Sequence, residues 1–333
     1  MVRYPGVSMK TGDVAVDLPL RILVATAVPD GFDALDIQRE LAHVRRGLRP
    51  LIETGHATLD VLEKTSRVKL MDKLDKARQS GKPYHILHFI GHGVLEGSGE
   101  GALALVKSES DNTQSNLSAS KFRAIVKNSD LKLVFLNACK TAVHDKIQPM
   151  NSIARSLITA EVPAVAAMQF NVPDDMAVLY SCRFYQNLAM GMPLDQSVAE
   201  IRRAAYVETE DGTLWGILTF LMRAEDGQLW QPNDRVAQDL ANWKPPKWQD
   251  GVRQAVDAIE AAYTAVKPQL GATFVPIADS ALTQVKAEAA KEEPDKTALT
   301  GLLTALETAV KLFGEEAATV QEAVAAAQTA VAS

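Results

Sequence analysis

Along the first two thirds of the chain, short continuous apolar runs alternate with stretches whose apolar residues recur every three or four positions. The runs "RILVATA" (21–27), "PYHILHFIGHG" (83–93), "LKLVFLNAC" (131–139), "PAVAAMQF" (163–170) and "LWGILTFLM" (214–222) predict strands buried on both faces, and "HATLDVLE" (56–63) alternates as a half-buried strand does. "GALALV" (101–106) reads as a short hairpin or edge strand. Between them, Leu35, Leu41, Val44, Leu48 and Leu51 keep helical spacing, with Asp33 placed as an N-cap. "SRVKLMDKLDKARQSG" (66–81) predicts a helix closed by a glycine, and "NLSASKFRAIVKNS" (116–129) one capped by Ser118. "NSIARSLITAEV" (151–162) and residues 174–208 supply three more helices.

Strands alternating with helices, several of them wholly apolar, imply an α/β fold with a mostly parallel sheet covered by helices on both faces. In such sheets functional groups gather beyond the carboxyl ends of the strands. His92 and Cys139 both fall there, each closing an apolar run. The pattern changes after Leu229. Residues 1–230 read as the α/β domain, 231–250 as a Trp/Pro-rich connector, and 251–333 as a C-terminal helical segment. Apart from a brief strand-like "ATFVPIA", that segment shows no strand alternation. Leu302, Leu303, Leu306, Val310 and Leu312 mark an amphipathic helix or helix pair. It reads equally as a stabilising bundle or as a module for a partner or for self-association.

The chain has 333 residues, 47% of them apolar and 23% charged, which fits a globular protein with one large or two modest cores. A formal charge of −6 argues against broad nucleic-acid affinity. No apolar stretch approaches the roughly 20 residues that cross a bilayer, and the first residues lack the apolar region of a secretory signal. With two cysteines and no disulfide framework, a cytoplasmic location is expected.

The two thiols differ in their surroundings. Cys139 alone reads as a buried, inert thiol; paired with His92 it reads as a nucleophile. The glycines flanking His92 let the backbone turn and approach a substrate closely, and the N–H groups of Gly93 and Cys139 are the oxyanion candidates. His144, five residues after Cys139, is the alternative base. His85, His88 and His92 raise a metal site as a rival, but an extended chain sets them too far apart for shared chelation and no acidic ligand lies nearby. His88 is read as orienting the loop, His85 as a core or rim residue, and His43 and His56 as packing or surface residues. Cys182 sits among apolar neighbours on a helix and reads as unreactive. "EGSGEG" (96–101) lacks the ending of a phosphate loop and reads as a mobile loop beside the substrate; "KSESDNTQSNLS" (107–118) reads as a solvated loop.

"HFIGHG" followed by an apolar strand ending in "LNAC", then "VAAMQFNVPDDMAV", "FYQNLAMGMPLDQSVAEIRRA" and "WGILTFLM", resembles the CHAT family of caspase-like and separase-like cysteine peptidases over residues 15 to about 230. The His-before-Cys order, about 50 residues apart, matches the caspase arrangement. The resemblance implies a caspase–hemoglobinase fold, endopeptidase activity without a cofactor, and His92 and Cys139 as the dyad. It also implies a pocket acid for the substrate residue before the cut, with Asp174 the better match and Asp175 the second, favouring Arg or Lys there. Asn137 stands where caspases keep a pocket glutamine, and Gln169 joins the substrate-binding candidates. Lys140 departs from the acidic or neutral residue often found after the cysteine. Partners implied are a protein substrate, such as a pore-former or toxin precursor, and a sensor or activator, in a regulated bacterial signalling or defence pathway. A non-proteolytic adaptor acting through its C-terminal helices is the alternative.

Overall fold

The computed structural model describes residues 2–3, 14–140, 149–168, 174–208, 214–244, 248–270, 275–291 and 294–332; at some of these, Cys139, Lys140, Asp174 and Asp175 among them, it describes the backbone alone. The chain divides into two compact units, residues 1–243 and 244–333.

The first unit is built on β1 (Val2–Arg3), β2 (Leu20–Ala27), β3 (Ala57–Leu62), β4 (Ile86–Leu95), β5 (Gly101–Val106), β6 (Gln114–Ser118), β7 (Leu133–Lys140), β8 (Ala164–Met168) and β9 (Leu218–Met222). Among the described residues these strands form one sheet in the order β1-β9-β8-β7-β4-β2-β3, with β5 attached to β4 and β6 to β5. The central neighbours are parallel, while β9 against β8, and β5 against β4 and β6, are antiparallel. The helices are α1 (Ile37–Glu53), α2 (Arg67–Gln79), α3 (Ala119–Val126), α4 (Pro149–Thr159), α5 (Asp174–Ala189), α6 (Leu194–Glu208) and α7 (Asp234–Asn242).

The wholly apolar strands follow from burial on two sides. Ile86, Ile90, Leu133 and Phe135 pack with Leu41, Val44 and Leu48 of α1 and Tyr180 and Phe184 of α5. The alternate residues Leu87, Phe89, Val134 and Leu136 pack with Leu70 and Leu74 of α2, Phe122 of α3 and Ile153 and Leu157 of α4. Burying each such side chain contributes about 1.5–3 kcal/mol, so the two layers fix which face every strand residue serves.

Several sequence expectations change in detail. The N-cap of α1 is Asp36, whose side chain accepts from the Arg39 N–H at 3.0 Å, and Asp33 and Leu35 lie in the loop before it. Part of the expected solvated loop forms β6, because residues 114–118 take up the free edge of β5 despite their mostly polar side chains. Ser118 caps α3 as expected, and Gly81 closes the turn after α2 with φ +69°. Trp230 is buried, with Nε1 donating to the Leu188 carbonyl at 2.9 Å, and α7 lies within the first unit.

The second unit consists, among its described residues, of α8 (Trp248–Val266), α9 (Val275–Ala289), α10 (Lys296–Lys311) and α11 (Ala318–Ala332), with short 3-10 turns. Helix α8 packs on α9 and α11, and α10 on the same two, closing a four-helix arrangement. Val256, Ile259, Leu282, Val285, Leu299, Leu303, Leu306, Val310, Val320 and Val324 form its core. Residues 275–278, the described part of the strand-like "ATFVPIA", are helical; Val275 opens α9. Leu312 departs from the expected buried face and is 51% exposed, since it follows the end of α10.

Candidate active site

Strands β4 and β7 run parallel with Ile86 opposite Leu133, a register that brings His92 opposite Cys139 and Gly93 opposite Lys140. Neighbouring strands lie about 4.8 Å apart, so the two backbones hold the expected pair side by side. Neither strand stops there. β4 continues to Leu95 and β7 to Lys140, and the glycines do not turn the chain. Instead β4 exchanges partners: β2 accompanies it as far as Ala27 opposite Gly91, and β5 takes over from Ala104 opposite His92. Gly91 is needed for close packing, since a Cβ there would meet the Phe89 ring at 2.5 Å and the Ala27 carbonyl at 2.8 Å.

His92 is 2% exposed. Its Nε2 donates to the backbone carbonyl of Asp33 at 2.9 Å, and its ring lies against Phe32, with centroids 4.9 Å apart. A carbonyl only accepts, so the proton sits on Nε2 and Nδ1 carries the lone pair. Nδ1 is buried without a partner among the described residues. Burial lowers the ring's pKa below the ordinary 6.5, opposed by the bond to Asp33. The imidazole is therefore neutral at pH 7 and presents a basic nitrogen on the strand next to Cys139.

Beneath this pair lies a buried polar cluster. Glu40 of α1 is 6% exposed, and its Oε1 accepts from His88 Nε2 at 3.0 Å, Asn137 Nδ2 at 2.5 Å and Ser181 Oγ at 3.0 Å. His88 Nδ1 lies 2.9 Å from the Tyr185 hydroxyl, and its ring stacks on Phe135. Burial holds the Tyr185 phenol well above its usual pKa, so it stays a donor. His88 thus ties the strand to α1 and α5 rather than orienting a loop.

Of the other expected residues, Asn137 is 4% exposed, with its amide nitrogen committed to Glu40. Asp174 and Asp175 open α5. Gln169 and His144 lie outside the described residues. His85 accepts from the Arg21 N–H, and His56 bonds Asp239 at 2.9 Å. The rings of His85, His88 and His92 therefore have separate partners, and no His, Cys, Asp or Glu cluster among the described residues fits a metal ion. Burial raises the Cys182 thiol's pKa, matching its expected inertness.

Sequence reading missed Phe32, the Asp33 carbonyl and Glu40. A backbone carbonyl leaves no side-chain signature. Glu40 did leave one: it falls four residues before Val44 and seven before Gly47, on the buried stripe of α1.

Comparison with solved structures finds the Drosophila initiator caspase Dronc, at 10% identity and TM-score 0.44, over 66% of this chain and 88% of the caspase chain. It also finds Raptor from Chaetomium thermophilum, at 10% identity and TM-score 0.37, over 98% of this chain and 30% of Raptor's. No curated protein sequence matches the chain. The CHAT domain profile matches residues 21–243, the whole first unit apart from the residues before Arg21. By that match the chain belongs to the CHAT domain family.

Proposed function

We propose that the protein is a cysteine endopeptidase in which Cys139 and His92 form the dyad. The observation that supports this most is the register of β4 and β7, together with an imidazole whose Nδ1 is buried, unprotonated and without a partner among the described residues. In this reading the Cys139 sulfur attacks a peptide carbonyl as His92 takes its proton. The N–H groups of Gly93 and Cys139 receive the developing oxyanion. His92 then protonates the leaving amine, and the C–N bond breaks to give a thioester. Water attacks the thioester with His92 as base, which releases the acid product and restores the thiol. No step calls for a cofactor.

The specificity reading rests on the family resemblance. By that resemblance Asp174, or Asp175 beside it at the start of α5, selects Arg or Lys before the cut. The substrate is a protein, and the second unit contacts a sensor or a second copy, as suits a protease under control in a bacterial signalling or defence pathway. The reading places the chain in the cytoplasm; no helix among the described residues is long and apolar enough to cross a membrane.

The test is digestion of a mixed peptide library by the wild-type chain, Cys139→Ala and His92→Ala. Cuts lost in both variants and clustered after Arg or Lys support dyad and pocket together. Dyad-dependent cuts after other residues keep the peptidase and discard the pocket. Cuts that persist in both variants overturn the dyad. Absence of cleavage, with Cys139 alkylated no faster than Cys182, favours the adaptor.

A further inference from the structure

The buried carboxylate of Glu40 is not part of the dyad, yet it joins the elements that carry the dyad. Its three donors come from β4 (His88), β7 (Asn137) and α5 (Ser181), while Glu40 itself belongs to α1. His88 lies four residues before His92, and Asn137 two before Cys139. All four groups are buried, with Ser181 and His88 fully so.

Desolvating a carboxylate is costly, and apolar side chains of similar volume often serve a core as well or better. The same layer is otherwise apolar, with Leu41, Val44, Phe135 and Phe184 around the cluster. What a satisfied polar hub adds over apolar packing is a single permitted geometry.

With the Glu40 oxygen as acceptor, His88 donates through Nε2, and its Nδ1 lies 2.9 Å from the Tyr185 hydroxyl. The same logic fixes the Asn137 carboxamide: Nδ2 faces Glu40, and Oδ1 is turned away, buried with no partner among the described residues. One acceptor atom thereby sets the lateral position of both dyad strands just before His92 and Cys139. On α1, Glu40 also acts on His43, whose pKa is lowered by burial first and then by Arg46 and Arg39, with Glu40 opposing them.

We propose that Glu40 is a positioning residue for the peptidase reaction, holding β4 and β7 so that His92 and Cys139 stay in reactive register. The proposal rests on the dyad reading above. Charge and position act with opposite signs, which makes it testable. Removing a nearby negative charge favours the thiolate and lowers the pH at which Cys139 becomes reactive. Loss of position separates thiol from imidazole and raises that pH toward the free-cysteine value of about 8.5.

The experiment measures iodoacetamide alkylation of the full chain against pH in a Cys182→Ser background, so that Cys139 alone reports. Glu40→Ala, Glu40→Gln and His92→Ala are compared, each checked by circular dichroism and thermal melting. Folded Glu40→Ala is expected to raise the half-alkylation pH by about one unit. Glu40→Gln keeps an acceptor, and so the position, while removing the charge, and is expected to leave the half-alkylation pH unchanged or lower it. If Glu40→Ala does not fold, Glu40→Leu, which fills the site without an acceptor, takes its place. An unchanged or lowered half-alkylation pH in the folded Ala or Leu variant overturns the positioning role, because core packing alone does not move this readout. A His92→Ala profile identical to wild type overturns the dyad and the proposal with it. A profile that depends on His92 and not on Glu40 keeps the dyad and discards only the proposal.

Discussion

A histidine with one nitrogen bonded to a carbonyl and the other buried without a partner among the described residues is held in a single tautomer. Such a ring is a base as found and needs no rearrangement before it accepts a proton. The rate of an enzyme that uses it declines on the acid side, as His92 protonates below pH 6.5. Phe32 supplies part of the burial that lowers this value. Phe32→Ala admits water, moves the His92 pKa up toward 6.5, and shifts the acid limb of kcat/KM to higher pH. An acid limb that stays in place would show that other neighbours set the ring's environment. At this scale the sequence was informative where chemistry sits in side chains with unusual neighbours, as at His92 between two glycines. It was silent where a backbone atom does the work, as at Asp33. It was misleading where a charged residue is buried, since Glu40 reads as an ordinary polar position until its place on the α1 stripe is noticed.

Strands buried on both faces left strong signals, and β2, β4, β7, β8 and β9 lie where the apolar runs put them. β6 left none, because a polar edge strand differs little in composition from a loop. Its connection to β5 nevertheless bears on the site. In that turn, the Asn112 side chain donates to the Val28 carbonyl at 3.3 Å and to Asp30 Oδ1 at 2.8 Å, and the Asn112 carbonyl accepts from the Asp30 N–H. These bonds clamp the start of the loop that carries Phe32 and Asp33 onto His92. They are at or near the surface, so Asn112→Ala costs about 1 kcal/mol or less in stability. Its larger effect is on catalysis, since a looser loop holds His92 less well: kcat falls several-fold while KM changes little. Urea melts and steady-state kinetics on one peptide separate the two effects. A variant with reduced stability and wild-type kcat would reduce the hairpin to a structural role.

The division of the whole molecule was legible as a change of pattern, but its position depends on where the tryptophans go. The Trp/Pro-rich stretch reads as a connector that packs partly on the domain, and it does: Trp230 is buried in the first unit and Trp243 Nε1 donates to Glu53 at 2.8 Å. His56 on Asp239 adds a further tie to α7, so the compact boundary falls between residues 243 and 244. Beyond it, four helices bury their own apolar stripes, with Leu299, Leu303, Val320 and Val324 fully inaccessible and α10 capped by Asp295. A unit of this size buries enough surface to fold alone, though not by a wide margin. Residues 244–333 produced separately are therefore expected to melt as one cooperative helical transition. Residues 1–243 are expected to keep the Cys139 alkylation profile of the full chain, because every residue tied to His92 lies within them. A broad, non-cooperative melt of the helical fragment would show that its stripes need the rest of the chain. Loss of the alkylation profile in residues 1–243 would give the helical unit a part in the active site. With both expectations met, the helical unit is free to serve control, and its net acidity over residues 251–333, 6 Lys and Arg against 11 Asp and Glu, makes a basic partner surface the first to test.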